Sequence, residues 1–222
     1  MLKTFRTTAL ALLLGSTGAQ AEEWARYKIT ITNITPGQTF TPQLVVTHPG
    51  RARLFTLGEP ASEPLEFLAE AGSTGPFAEA LDGVAWDVQT IDGLLGPGET
   101  VSTEVTGRAA GRGFVSMAAM LIPTNDTFVA LNRVRLPRNG KRTYMVPAYD
   151  AGTEPNDPNC LNIPGPRSGG EDYNPEGGEG IVHIGNGFHQ LPADEVEGGE
   201  VLEPETYDWR NPVAKVVVRR LN

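Results

Sequence analysis

The stretch GFVSMAAMLIPTNDTFVALNRVRLPRNGKRTYMVPAYDAGTE, residues 113–154, decides the fold. Three strand-like runs, Gly113 to Ile122, Phe128 to Leu136 and Arg142 to Tyr149, are rich in β-branched, aromatic and other apolar residues. Pro123-Thr124-Asn125-Asp126-Thr127 and Pro137 to Lys141 separate them. Short runs bounded by Pro, Gly, Asn and Asp predict strands joined by turns. Taken as an up-down meander, the first strand rises to the Asn125 loop, the second descends and the third rises again. The third therefore delivers Asp150-Ala151-Gly152-Thr153-Glu154 to the same end of the sheet as Asp126.

Working outward, the same signature repeats. Trp24 to Asn33 alternates, with Tyr27, Ile29 and Ile31 on one face and Lys28, Thr30 and Thr32 on the other. Further runs lie at Gln43 to Thr47, Val84 to Ile91 and Thr100 to Gly107, and Val213 to Leu221 closes the chain. About eight short strands between turn residues predict an all-β protein, an antiparallel β-sandwich. A small helical insert is expected where Ser62 can cap, Pro64 occupies the first turn, Leu65, Leu68 and Ala69 share a face, and Gly72 ends the run. Phe77 to Leu81 adds another turn. Residues 155–205 are dense in Gly, Pro, Asn, Asp and Glu, and read as a long loop excursion before the last strand.

Residues 1–21 have the layout of a secretory signal peptide: Lys3 and Arg6, an apolar run from Ala9 to Leu14, and Ala19-Gln20-Ala21 at the cleavage point. That apolar run is too short to span a bilayer. Residues 22–222 are then one domain, expected to be secreted or periplasmic, with no membrane span. Removing the leader leaves 16 basic against 27 acidic residues, a net charge of −11. Such a surface repels nucleic acid and anionic lipid, and favours cations or basic partners. The lone Cys160 has no internal disulfide partner.

Asp126, Asp150 and Glu154, brought together with no Lys or Arg in their loops, repel one another. Each gains from a cation or from a raised pKa. Hard oxygen ligands on irregular loops suit Ca²⁺ better than Mg²⁺, which demands a stricter octahedron. Gly152 permits the turn that lets Asp150 and Glu154 face one ion. Solvated loops whose side chains cap their own turns are the alternative on spacing alone.

The loops themselves carry a resemblance. Leu121-Ile122-Pro123-Thr124-Asn125-Asp126-Thr127-Phe128-Val129 is similar to the Pro-Ser-Pro-Asp-Trp-Phe-Val-Gly signature of the spondin N-terminal domain family. Tyr149-Asp150-Ala151-Gly152-Thr153-Glu154 resembles the Tyr-Asp-Ala-Gly-Thr-Asp signature that follows it. Leu57 to Ser62 and Ala69 to Gly72 are similar to the family's Gly-x-x-Ala-Ser and Ala-Glu-x-Gly elements, in the same order. Tyr207-Asp208-Trp209-Arg210-Asn211-Pro212 resembles bacterial members. The resemblance implies a C2-like sandwich with calcium at one end, its acids falling on Asp126, Asp150 and Glu154. Glu154 replaces an Asp, which keeps the charge and lengthens the reach. Thr127 stands where animal members carry Trp, and Ala130 where they carry Gly, so their receptor binding is not carried over.

Weaker signals are His183 and His189 in a glycine-rich stretch, where a transition metal would need a third ligand. His48, before Pro49-Gly50, reads as a turn residue, and Trp24, Trp86 and Trp209 as core. Asn33-Ile34-Thr35 and Asn125-Asp126-Thr127 fit the glycosylation pattern. No nucleophile elbow, zinc-protease helix or phosphate loop is present. The expected function is an exported calcium-binding module, not an enzyme, for adhesion or binding of a protein or glycan. A secreted hydrolase using the carboxylates or calcium, and a structural envelope protein without metal, are the alternatives.

Overall fold

The computed structural model of the chain describes residues 24–109, 111–157, 162–164, 177–187 and 202–222. The leader expected at 1–21, Cys160, His189 and most of the 155–205 excursion lie outside them. Trp24–Asn33 forms β1, Thr39–Phe40 β2 and Gln43–Pro49 β3; helices α1 (Glu63–Ala71) and α2 (Gly75–Ala80) follow. Next come β4 (Asp87–Ile91), β5 (Thr100–Arg108), β6 (Gly113–Ile122) and β7 (Thr127–Arg135). The order ends with β8 (Lys141–Val146), β9 (Ala148–Asp150), β10 (His183–Ile184), α3 (Pro204–Tyr207) and β11 (Ala214–Arg220).

Two antiparallel sheets make a sandwich. One is four-stranded, in the order β5-β1-β11-β8; the other runs β10-β9-β7-β6-β3-β4, with β2 paired to β6. Alternation in β1 turns Tyr27, Ile29 and Ile31 inward, where they meet Val45, Val115, Met117, Ala119 and Val129 of the facing sheet. The insert forms a third layer. Leu65, Leu68, Ala69 and Phe77 cover Leu44, Val46, Ala118 and Phe128 on the outer face of the larger sheet. Strand β6 is therefore buried on both sides, which is why it reads as a nearly unbroken apolar run. Each such side chain taken fully from water contributes about 1.5–3 kcal/mol. Pro64 fits the first turn of α1, and Gly72, at φ 65°, ends it. Its N–H reaches Leu68 O and the next N–H reaches Phe67 O, satisfying carbonyls the helix leaves open.

Three expectations need correction. The run Arg142 to Tyr149 is not one strand of a simple meander. Pro147 has no N–H to continue a ladder, and the chain changes sheets there: β8 pairs with β11, and β9 crosses to β7. His48 is not a turn residue but lies buried within β3. Trp209 is in the core, whereas Trp24 is 47% exposed, because the parity that buries Ala25 and Tyr27 turns it outward. Trp24 meets Trp86 edge-on, with the Arg108 guanidinium 5.5 and 5.4 Å from the two ring centres.

Candidate metal centre

The crossing at Pro147 places the acidic loops. Because β9 joins β7 with Thr127 opposite Asp150, Asp126 and Asp150 emerge side by side at the sheet end. The Ala151 N–H donates to Asp126 O at 3.3 Å, holding the two loops together. Gly152, at φ 69°, turns the chain back; a Cβ there would stand 2.3 Å from Ile181 O. The turn aims Thr153 N–H and Glu154 N–H at Asp126 Oδ2, at 2.7 and 3.1 Å, and the Thr153 hydroxyl adds a contact of 3.2 Å. Asp126, Asp150 and Glu154 are all buried.

Three donors thus serve one oxygen of Asp126, and the other receives none. Asp126 Oδ1 is buried and lacks a hydrogen-bond partner, a state that costs about 1–3 kcal/mol or more for a charged group. The pKa of Asp126 is pushed up to about 7, first by burial and then by the Asp150 charge, against the donors from Glu154 and Thr153. Burial also raises Asp150, opposed by the Asn156 amide and by His183. A divalent cation would remove both the orphaned oxygen and the repulsion, so these residues fit a hard-ion site.

The late glycine-rich segment closes over the same loops. Gly178 N–H donates to Thr153 O at 3.1 Å and Gly180 N–H to Gly152 O at 2.8 Å. Strand β10 then adds to the edge of β9 with His183 opposite Asp150. His183 Nε2 lies 3.3 Å from Asp150 Oδ1 and 3.7 Å from Glu179 Oε2. Burial opposes a charge on His183, but the Ile184 carbonyl and the Asp150 and Glu179 carboxylates outweigh it and raise its pKa. Among the described residues, Asp150, Glu179 and His183 form the one trio whose ligand atoms lie within 4.8 Å of one another.

The three acids read from the sequence therefore share one loop cluster. Asp126 feels the Asp150 charge and Glu154 is tied to Asp126 through its backbone N–H, but the carboxylate oxygens of the three do not all lie within 4.8 Å of one another. Nothing in the sequence points to Glu179 or Asn156 as site residues; His183 stands out there only for its nearness to His189. Both glycosylation patterns prove to be buried. Asn33 Nδ2 donates to Gln38 O and Leu95 O, and Asn125 is 5% exposed.

Fold and site together define an antiparallel β-sandwich with a buried acidic loop cluster at one end. Compared with protein-family models and with curated proteins, the chain matches none.

Proposed function

We propose that this chain is an exported calcium-binding β-sandwich module whose ion, held by Asp126, Asp150 and Glu154, fixes the loops of one end for binding a protein or glycan. The observation that carries the reading is the buried Asp126 carboxylate, with Oδ1 unpartnered beside the Asp150 charge. Among the described residues no Lys or Arg forms an ion pair with either acid. Oxygen donors on irregular loops suit calcium's flexible shell of six to eight ligands. The likeness of the Asp126 and Asp150 loops to the spondin N-terminal domain, a C2-like sandwich, supports the same ion at the same end. The net charge of −9 favours cationic partners over nucleic acid. No helix of the described residues is long and apolar enough to cross a membrane. Calcium acts here as a structural ion, and catalysis has no part in the proposal.

Thermal melting in excess chelator and in calcium tests this. With a Kd of about 10⁻⁴ M, typical of extracellular calcium modules, about 2 mM calcium stabilises by about 1.8 kcal/mol. In a domain of this size that raises Tm by about 4–7 °C. Asp126→Asn removes the rise. Superimposable wild-type curves in chelator and calcium would eliminate the ion from the account.

A further inference from the structure

Asp150 has a second set of neighbours besides Asp126, and their arrangement differs in chemistry from the all-oxygen cluster. His183 Nε2 faces Asp150 Oδ1 at 3.3 Å and Glu179 Oε2 at 3.7 Å. The atom is buried, and neither contact has the geometry of a full hydrogen bond. Charge-assisted N–H···O bonds run at about 2.7–2.9 Å, so these separations are long for an imidazolium directly paired with carboxylates. Two ligands bound to zinc at about 2.0–2.1 Å, with a tetrahedral angle between them, stand about 3.3–3.4 Å apart. The His183–Asp150 separation matches that spacing, and the His183–Glu179 separation exceeds it by a few tenths of an ångström.

The groups behind these three atoms are also in place. Asn156 Nδ2 donates to Asp150 Oδ2 at 2.8 Å and to Glu179 Oε1 at 3.1 Å, so one amide holds the far oxygen of both carboxylates. That leaves Asp150 Oδ1 and Glu179 Oε2 turned to the imidazole. Gly152 N–H fixes Asp150 Oδ1 at 2.8 Å. His183 Nδ1 lies 3.1 Å from Ile184 O. A carbonyl only accepts, so Nδ1 carries a proton; Nε2 shares the other with the carboxylates when the ring is charged, and presents its lone pair once an ion displaces that proton. Ligating histidines are oriented in this way, with the distal nitrogen bound to a carbonyl or carboxylate.

We propose that Asp150, Glu179 and His183 form a second cation site, selective for a borderline transition ion such as Zn²⁺, with Asn156 as its positioning residue. One nitrogen and two carboxylate oxygens make a three-residue set that leaves a fourth position to water or to a ligand of the partner. Asp150 is shared with the calcium reading, but the site needs neither Asp126 nor Glu154. The two proposals therefore fail separately.

Zinc titration of the purified protein by calorimetry, with calcium held in the millimolar range, tests it; cobalt absorption reports the ligand field. One zinc equivalent is expected. His183→Ala and Glu179→Gln should weaken it at least about tenfold, and Asn156→Ala by about 10–100-fold. Asp126→Asn should still take up one zinc equivalent, while losing the response to calcium. His183→Gln serves as a second variant, and circular dichroism checks folding in each. Zinc binding that survives at full strength in a folded His183→Ala protein overturns the site. So does a folded wild type that takes up no zinc, leaving a His183–Asp150 ion pair in its place.

Discussion

Ser116 stands opposite two residues of β7, because the register slips between Val115 and Met117 and leaves Asn132 and Arg133 to share its place. Arg133 takes φ 55°, uncommon for a residue with a side chain. Its N–H donates to Ser116 Oγ at 2.8 Å, and that hydroxyl lies 2.8 Å from His48 Nε2. His48 Nδ1 faces the Pro49 carbonyl at 2.9 Å and so carries a proton, and in the neutral ring Nε2 accepts from the Ser116 hydroxyl. Burial lowers the pKa of His48, the Pro49 carbonyl opposes that, and the Arg133 charge adds to the lowering. An unfolded His takes up a proton near about 6.5, while the folded one resists until lower pH. This stabilisation is complete above the unfolded value and is lost as pH falls through the folded one. Melting temperatures compared between about pH 7.5 and 5 should show a steeper acid loss in the wild type than in His48→Gln. Parallel curves would mean the imidazole is not held neutral. His48 read as a turn residue because Pro49 and Gly50 follow it; the strand that buries it lies 68 positions further on. The acids were easier: a meander drawn from turn order puts Asp126 and Asp150 at one end, although it is the crossing at Pro147 that brings them there. Glu179 and His183 were not, because only pairing with β9 brings them to Asp150.

Legibility at the level of elements followed how many faces an element buries. Strand β1 buries one face and shows clean alternation, so its inward residues could be read directly. Strand β6 buries two, and its apolar run says strand without saying what covers each side. The covering layer is α1, whose Leu65 and Leu68 are both fully buried. Leu68→Ala should cost about 2–5 kcal/mol in chemical denaturation. A loss below about 1 kcal/mol would mean that α1 is a loose cover. Strand β10 has only two residues and lies among glycines, so nothing in its composition marks it as a strand. It exists because the edge of β9 offers it a ladder, and the anchors from Gly178 and Gly180 to the Asp150 loop hold it there.

Across the whole molecule, the sandwich is joined by long-range pairings. Strand β11 sits between β1 and β8, with Ala214 to Arg220 opposite Asn33 to Tyr27 and Ala214 to Arg219 opposite Val146 to Lys141. A chain ended after Asn211 would leave β1 and β8 with facing open edges, and would expose the side of the core now covered by Val216 and Val218. It should show no cooperative melting by circular dichroism, and a cooperative transition in that fragment would refute the central role of β11. Topologies dominated by distant pairings close slowly, because the loop entropy comes due before the contacts form. Residues 214–220 are therefore a clasp that the ribosome makes late. Until they are in place the four-stranded sheet cannot shut, and β1 and β8 are left with nothing between them to pair.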